Sequence, residues 1–194
     1  MTPFAELIIE TPRLLLRPLQ DGDAPALFAI FSDPAVMRYW SSAPWTDPAQ
    51  GLRMLEGDRE AAAGRRDLRL GVVPHDAGGR VVGTLSLYRI DAGCRRADIG
   101  YALARAEQGR GLMNEALAAL VDCAFDHRPG APFDDLQLNR IEADVDPRNA
   151  PSCRALERLG FQREGLLRER WIVAGEVSDS AMYGLLHADW RARR

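Results

Sequence analysis

Two periods meet near Leu103, and their junction constrains the fold more than any other feature of this 194-residue chain. Before it, Arg69 to Pro74, Arg80 to Arg89 and Arg96 to Leu103 read as strands. The turn signals between them, Asp76-Ala77-Gly78-Gly79 and Asp91-Ala92-Gly93, are so short that the three strands must form an antiparallel meander. After it, Leu112, Met113, Ala116, Leu117, Leu120, Val121, Ala124 and Phe125 recur at helical spacing, with Asn114, Glu115, Asp122 and Asp126 opposite, and the helix runs to about His127. Ile141 to Val145 then reads as a strand again. A strand that reaches the next through a helix pairs with it in parallel, so a βαβ crossover sits inside a largely antiparallel sheet. The pattern predicts a mixed α/β domain.

The rest of the chain fits around that junction. Leu14-Leu15-Leu16 reads as a short buried strand, and Asp21 or Asp23 is placed to cap a helix through Phe31 that buries Leu27, Ile30 and Phe31. A loop carrying Arg38-Tyr39-Trp40 follows, and Asp47-Pro48 marks a second helix start. Asn149 caps a helix with Ala155, Leu156 and Leu159 on one face, closed by Gly160. Two last strands, about 161–173 and 177–186, join at Ala174-Gly175. No repeat or linker divides residues 1–194, and an apolar fraction of 46% can fill one core.

Charge and cysteine usage exclude several function classes. Twenty-five Lys and Arg against 28 Asp and Glu leave a net charge of −3, which offers no footprint for general nucleic-acid binding. The start, Met1 to Glu6, has no basic segment followed by an apolar one, and the apolar run Ala116 to Val121 is far short of the ~20 residues of a membrane span. The expectation is a soluble, cytoplasmic protein without a membrane segment. Cys94, Cys123 and Cys153 are odd in number and widely spaced, so neither a disulfide framework nor a zinc site is expected.

The chemically informative segment is Gln108-Gly109-Arg110-Gly111-Leu112-Met113-Asn114, between the third meander strand and the long helix. Two glycines remove the Cβ atoms that obstruct close approach, and the first helical turn offers unpaired N–H groups at the positive end of the helix dipole. Such a turn suits a pyrophosphate. Alone, without its context, Gly-Arg-Gly reads better as a plain tight turn. Neither a Walker lysine nor a dinucleotide glycine fingerprint accompanies it.

In its context, Gln108-Gly109-Arg110-Gly111-Leu112-Met113 resembles the Gln/Arg-x-x-Gly-x-Gly/Ala acetyl-CoA motif of the GNAT N-acetyltransferase superfamily, with Met113 in place of the usual small last residue. The form Gly-x-Gly-hydrophobic-Met is similar to the RimJ/RimL branch, the ribosomal-protein N-terminal acetyltransferases. The likeness continues in order through Glu10-Thr11-Pro12-Arg13-Leu14, Met37-Arg38-Tyr39-Trp40, Ile99-Gly100-Tyr101, Arg140-Ile141-Glu142-Ala143, Asn149-Ala150-Pro151-Ser152 and Leu159-Gly160-Phe161, with a core of about Leu14 to Leu186. The resemblance implies a single-domain GNAT fold, with a mostly antiparallel sheet whose central strands splay to admit the pantetheine arm. It implies acetyl-CoA as cosubstrate, no metal, direct attack by a primary amine, and a homodimer. Tyr101, Ala102 and Leu103 would offer backbone groups to pantetheine, one amide polarising the thioester carbonyl. Gly109 to Asn114 would hold the pyrophosphate, with Gln108 as the motif's first residue. Asn149 would meet the cofactor's arm, a role compatible with its duty as a helix cap.

The acid and base are less legible. Glu142, Asp144 and Asp146 alternate on one strand and project to one face. They either pair with Arg140 or Arg148, or Asp144 receives the amine's proton. Glu169 and Trp171, placed by resemblance on a strand facing the cleft, are rival substrate contacts. The tyrosine that many GNAT proteins carry seven positions after the Asn is replaced by Leu156. Ser152, which resembles the serine of the branch's Asn-x-x-Ser motif, would donate a proton to the CoA thiolate or bind the CoA sulfur, or else hydrogen-bonds backbone as an ordinary early-helix serine. Tyr39 and Trp40 form either a substrate wall or a structural lid. Cys153 lacks a recognisable His partner for covalent catalysis. Deprotonating an α-amine at pH 7 costs ~1.1 kcal/mol against ~4.6 for a lysine, so a site without a strong base suits a protein N-terminal α-amine. A polyamine or antibiotic acetyltransferase and a non-catalytic acyl-CoA-binding module are the other expectations.

Overall fold

The computed structural model describes residues 3–193; Met1 and Thr2, on which the reading of the chain start partly rests, and Arg194 lie outside the described residues. Eight strands build one sheet: β1 (Ile9–Glu10), β2 (Leu14–Pro18), β3 (Leu68–Pro74), β4 (Gly83–Asp91), β5 (Arg96–Leu103), β6 (Arg140–Val145), β7 (Gln162–Val173) and β8 (Glu176–Leu186). Their order is β1-β2-β3-β4-β5-β6-β8-β7. The meander β3-β4-β5 is antiparallel, and β5 pairs with β6 in parallel, as the change of period requires. The connecting helix is α4 (Leu112–Ala124), which ends three residues before His127.

Burial alternates along the sheet, so each face has its own layer. Leu70, Leu85, Ile99, Ile141 and Ala143 pack under α4 and α5 (Ala150–Leu159), where Leu117, Leu120 and Leu156 are fully buried. On the opposite face, α1 (Ala24–Phe31), α2 (Pro34–Met37) and α3 (Ala49–Ala63) enclose a smaller core of Leu27, Ile30, Phe31, Met37 and Leu55, reaching Ala102 of β5. Asn149 accepts from the Ser152 N–H at 3.3 Å and caps α5 as predicted, and Gly160 closes that helix in the left-handed region. Asp47 Oδ1 accepts from the Ala49 N–H at 2.9 Å at the start of α3. Asp23 differs from expectation: it precedes α1 but makes no side-chain cap. Its carboxylate accepts from Arg17 at 2.7 and 2.9 Å, because a half-buried guanidinium competes better for it than helix N–H groups do. The predicted strand at Arg80 starts later, at Gly83.

Candidate active site

The site begins where β5 and β6 separate. Their parallel ladder runs from Arg96↔Arg140 to Asp98↔Glu142 and stops, although β5 continues to Leu103 and β6 to Val145. The strands therefore splay. A cleft of about 320 Å³ opens there, lined by Tyr101, Asn149 and Ser152 on one side and by Asp144, Asp146 and Trp171 on the other. A larger and shallower depression of about 850 Å³ lies elsewhere, against α4 and the chain end, and none of the candidate site residues line it.

Strand alternation decides which backbone groups face the opening. The Ala104 N–H donates to Val82 O at 2.8 Å, so by the antiparallel register Ala102 and Gly100 also direct their backbone groups toward β4. Tyr101 and Leu103 point theirs to the free edge. Ala102 is thus corrected: its amide belongs to the β4 ladder and is not available to a thioester. The Leu103 carbonyl is taken as well, by Gln108 Nε2 at 3.0 Å, so the Gln108 side chain fastens the turn rather than facing a ligand.

Beyond β5 the chain enters the glycine turn. Gly109 and Gly111 have φ of +78° and +76°, the left-handed region that L side chains rarely adopt. Gly111 is the residue before α4, and no side chain caps this helix, so its first N–H groups remain for a ligand. Leu112 and Met113 are buried in the core, and they can meet a phosphate only through their backbone. The large Met113 side chain is thereby accommodated by packing. Arg110 folds back to pair with Glu107 and, at 3.5 Å, with Asp76. Arg13 braces the turn, donating to Arg110 O at 2.9 Å and to Glu115 at 2.5 Å, while Thr11 donates to Glu115 at 2.6 Å. Burial opposes ionisation of Glu115, but these hydrogen bonds hold its carboxyl below the usual range.

The three β6 carboxylates separate by partner. Glu142 pairs with Arg96 at 2.9 Å and Arg140 at 2.6 Å, and Asp146 pairs with Arg148 at 2.6 Å. Asp144 has neutral partners: Ser180 Oγ and Trp171 Nε1, the latter at 3.4 Å, both donate to Oδ1. Burial raises its pKa above the ordinary carboxylate range, against the Trp171 hydrogen bond and the fields of Arg170 and Arg89. Across the cleft, the Tyr101 hydroxyl lies 2.7 Å from Ser152 Oγ. Burial pushes this phenol up to about 12, despite the Ser152 hydrogen bond.

Tyr39 and Trp40 both line the cleft, and Trp40 also packs edge-on against Phe31 with ring centroids 5.3 Å apart, so the wall is fixed to the smaller core. Glu169 is corrected. It sits in a bulge of β7 with φ +52°, its N–H held by Asp179 at 2.8 Å, exposed and away from the cleft lining. The Tyr101 phenol, Ser180 and the floor residues Arg69, Ser86, Tyr88 and Arg89 went unread in the sequence. Gly100 in Ile99-Gly100-Tyr101 was the available signal: a Cβ there would stand 3.2 Å from the Tyr88 ring, so glycine lets that ring lie against β5. Cys123 is half-buried with its thiol pushed up to about 12, which fits a packing role. No helix of the described residues is long and apolar enough to cross a membrane, and no group of His, Cys, Asp or Glu among them could hold a metal ion.

The acetyltransferase (GNAT) domain family matches residues 13–162, a span that includes the parallel crossover and the glycine turn. The chain belongs to that family. N-acetyltransferase p20 of Bacillus licheniformis, whose own activity is uncharacterised, is 36% identical over 180 residues, covering 93% of this chain and 96% of the relative. The [ribosomal protein uS5]-alanine N-acetyltransferase of Escherichia coli is 32% identical over 96 residues, 50% of this chain and 45% of the relative. A GCN5-related N-acetyltransferase from Brucella melitensis superposes with a TM-score of 0.76 at 28% identity, covering 96% of this chain and 81% of that one. This GNAT protein is an acyltransferase that acts on amines, and GNAT acetyltransferases use acetyl-CoA.

Proposed function

We propose that this protein acetylates the α-amine of a peptide or protein N-terminus, using acetyl-CoA as donor and direct attack on the thioester. The observation that carries this reading is Asp144. It is the one carboxylate lining the cleft without a cationic partner among the described residues, and it stands across the splay from Tyr101 and Ser152. As the amine nitrogen attacks the carbonyl carbon, its proton passes to Asp144. An outward N–H on the free edge of β5, from Tyr101 or Leu103, meets the developing oxyanion, a contact of the kind worth ~3 kcal/mol. The C–S bond then breaks, and the thiolate takes a proton from Ser152, which Tyr101 replenishes. Ser152 lies in the first turn of α5, where the helix dipole favours a developing negative charge.

The turn at Gly109–Gly111 and the first N–H groups of α4 suit the pyrophosphate, and Asn149 has its amide N–H left for the cofactor's arm once Oδ1 caps α5. A single cation-free carboxylate suits a singly charged amine; a polyamine would bring further charges with no carboxylate to meet them. A carboxylate base also suits an α-amine better than a lysine, whose proton is harder to remove. The relative that acts on the alanine terminus of a ribosomal protein agrees with this acceptor class. The test is acetyl-CoA turnover over a panel of N-terminal peptides, Nα-blocked lysine peptides and polyamines, with mass spectrometry of the products. Acetylation at α-amines is expected. Turnover confined to lysine side chains or polyamines would overturn the reading.

A further inference from the structure

One transverse row of the sheet leads up to the proposed base through residues that have no part in acetyl transfer. On the face toward α1–α3, Arg69 of β3 lies opposite Ser86 of β4, which lies opposite Gly100 of β5. Asp98 is opposite Glu142, so two residues further along each strand the row continues across the splay to Asp144. Arg69, Ser86, Gly100 and Asp144 all line the cleft, and so does Arg89. The proposed base therefore stands at one end of the floor and Arg69 at the other, with the Arg89 guanidinium between them, held beside Asp98 of β5.

Both arginines are anchored and both keep donors. Asp58 engages Arg69 only through Nε, at 2.9 and 3.0 Å, and a guanidinium has five N–H donors. Asp98 engages Arg89 through Nη1 at 3.1 Å. Arg89 has φ of +51° within a bulge of β4, an uncommon backbone for a non-glycine residue, and the bulge carries its side chain over the sheet to Asp98. Gly100 contributes no side chain, and the Tyr88 ring lies against the space above it, with the Arg89 guanidinium 5.7 Å from the ring centroid. Ser86, Gly100 and that ring therefore floor the row between Arg69 and Asp144.

We propose that Arg69 and Arg89 form an anion subsite for the acceptor, selecting amines that carry a carboxylate a short distance from the reacting nitrogen. The inference rests on the α-amine reading above and names its substrate class. Two strand steps of ~4.8 Å and the wider gap of the splay place Arg69 at least about 14 Å from Asp144 at the backbone, with Arg89 one strand nearer. The arginine and aspartate side chains shorten that gap to what one or two extended residues span, at ~3.5 Å each. The carboxylate is then an Asp or Glu side chain at the second or third position of a peptide, or the α-carboxylate of a free amino acid. A guanidinium recognises either through paired N–H···O bonds.

The experiment compares C-terminally amidated tetrapeptides beginning Ser-Asp, Ser-Ala-Asp, Ser-Ala and Ser-Lys, together with free serine, as acceptors at saturating acetyl-CoA. An acidic peptide is expected to exceed Ser-Ala by tenfold or more in kcat/KM, carried mainly by KM, with Ser-Lys poorest. Preference for free serine over every amidated peptide would assign the subsite to an α-carboxylate and support the same chemistry. Arg89→Asn, a residue that tolerates left-handed backbone, should reduce the acidic-to-neutral ratio to within about threefold of unity, and Arg89→Glu should invert it in favour of Ser-Lys. Arg69→Gln should act likewise, but it strips Asp58 of its partner, so the exposed Arg89 is the decisive position. Equal kcat/KM for acidic and neutral acceptors, or a ratio unmoved in folded Arg89→Glu, overturns the subsite while leaving α-amine acetylation intact. No turnover of any α-amine, with lysine peptides or polyamines acetylated instead, overturns the α-amine reading itself.

Discussion

At the scale of single residues, Asp144 and Tyr101, the proposed base and the proposed source of the thiolate's proton, lie in surroundings that raise both pKa values. Asp144 needs its proton off to receive another, so the chemical step should rise with pH through a limb set above the ordinary carboxylate range. Asp144→Asn should abolish that limb and slow the step about a hundredfold or more near pH 6, recovering in part as the substrate amine deprotonates itself; single-turnover pH–rate profiles read this. The sign for stability is opposite. A carboxyl whose folded pKa is raised favours the fold below its unfolded pKa, and that favour is lost as pH rises through the folded value. Asp144→Asn should therefore melt at or above the wild-type temperature at pH 7, with the difference shrinking toward pH 3. Tyr101→Phe and Ser152→Ala act on one proton path and should be strongly non-additive in kcat, each costing roughly tenfold alone and little more together. Additive losses would separate the two hydroxyls.

At the scale of elements, the end of β5, the glycine turn and the start of α4 act as one unit. Gln108 ties the turn to Leu103, Arg13 ties it to α4 through Glu115, and Gly111 passes into the helix at a φ only glycine adopts without strain. Gly111→Val should cost about 1–2 kcal/mol of stability from backbone strain. The larger effect should be on acetyl-CoA, whose affinity by calorimetry should fall tenfold or more because a side chain now stands where phosphate approaches. A folded Gly111→Val protein with unchanged affinity would remove the turn as the anion site.

At the scale of the whole molecule, the sheet divides two tasks between its faces. The layer under α4 and α5 supports the turn proposed to hold the donor, whereas the layer under α1–α3 holds the proposed acceptor wall through Phe31, Trp40 and Trp45. Phe31→Leu should cost roughly 1–2 kcal/mol and raise acceptor KM severalfold, with acetyl-CoA affinity nearly unchanged. Leu117→Ala in the other layer should cost about 3 kcal/mol and weaken acetyl-CoA binding without a matching change in acceptor KM. Denaturant titration and the two binding measurements together check the division. Equal effects on both substrates from both variants would show a single shared core.

The sequence by itself determined the elements and their connectivity. Tight turns forced the meander, a helix between strands forced the parallel crossover, and Asn149 and Gly160 bounded α5 through local hydrogen bonding and backbone freedom. It also placed the glycine turn before α4, because two glycines before a helix are a local property of the chain. The cleft was decided only by tertiary structure. Which of Glu142, Asp144 and Asp146 stays without a cation depends on where Arg96, Arg140 and Arg148 come to rest, and no spacing along β6 encodes that. Tyr101 meets Ser152 across 51 positions, Ser180 meets Asp144 across 36, and Arg69 shares a row with Asp144 only after four strands fall into register. Glu169 and Ala102 were misplaced for the same reason. A bulge turns one out of the cleft, and ladder alternation gives the other's backbone to β4, because a strand's neighbours decide which way its groups point.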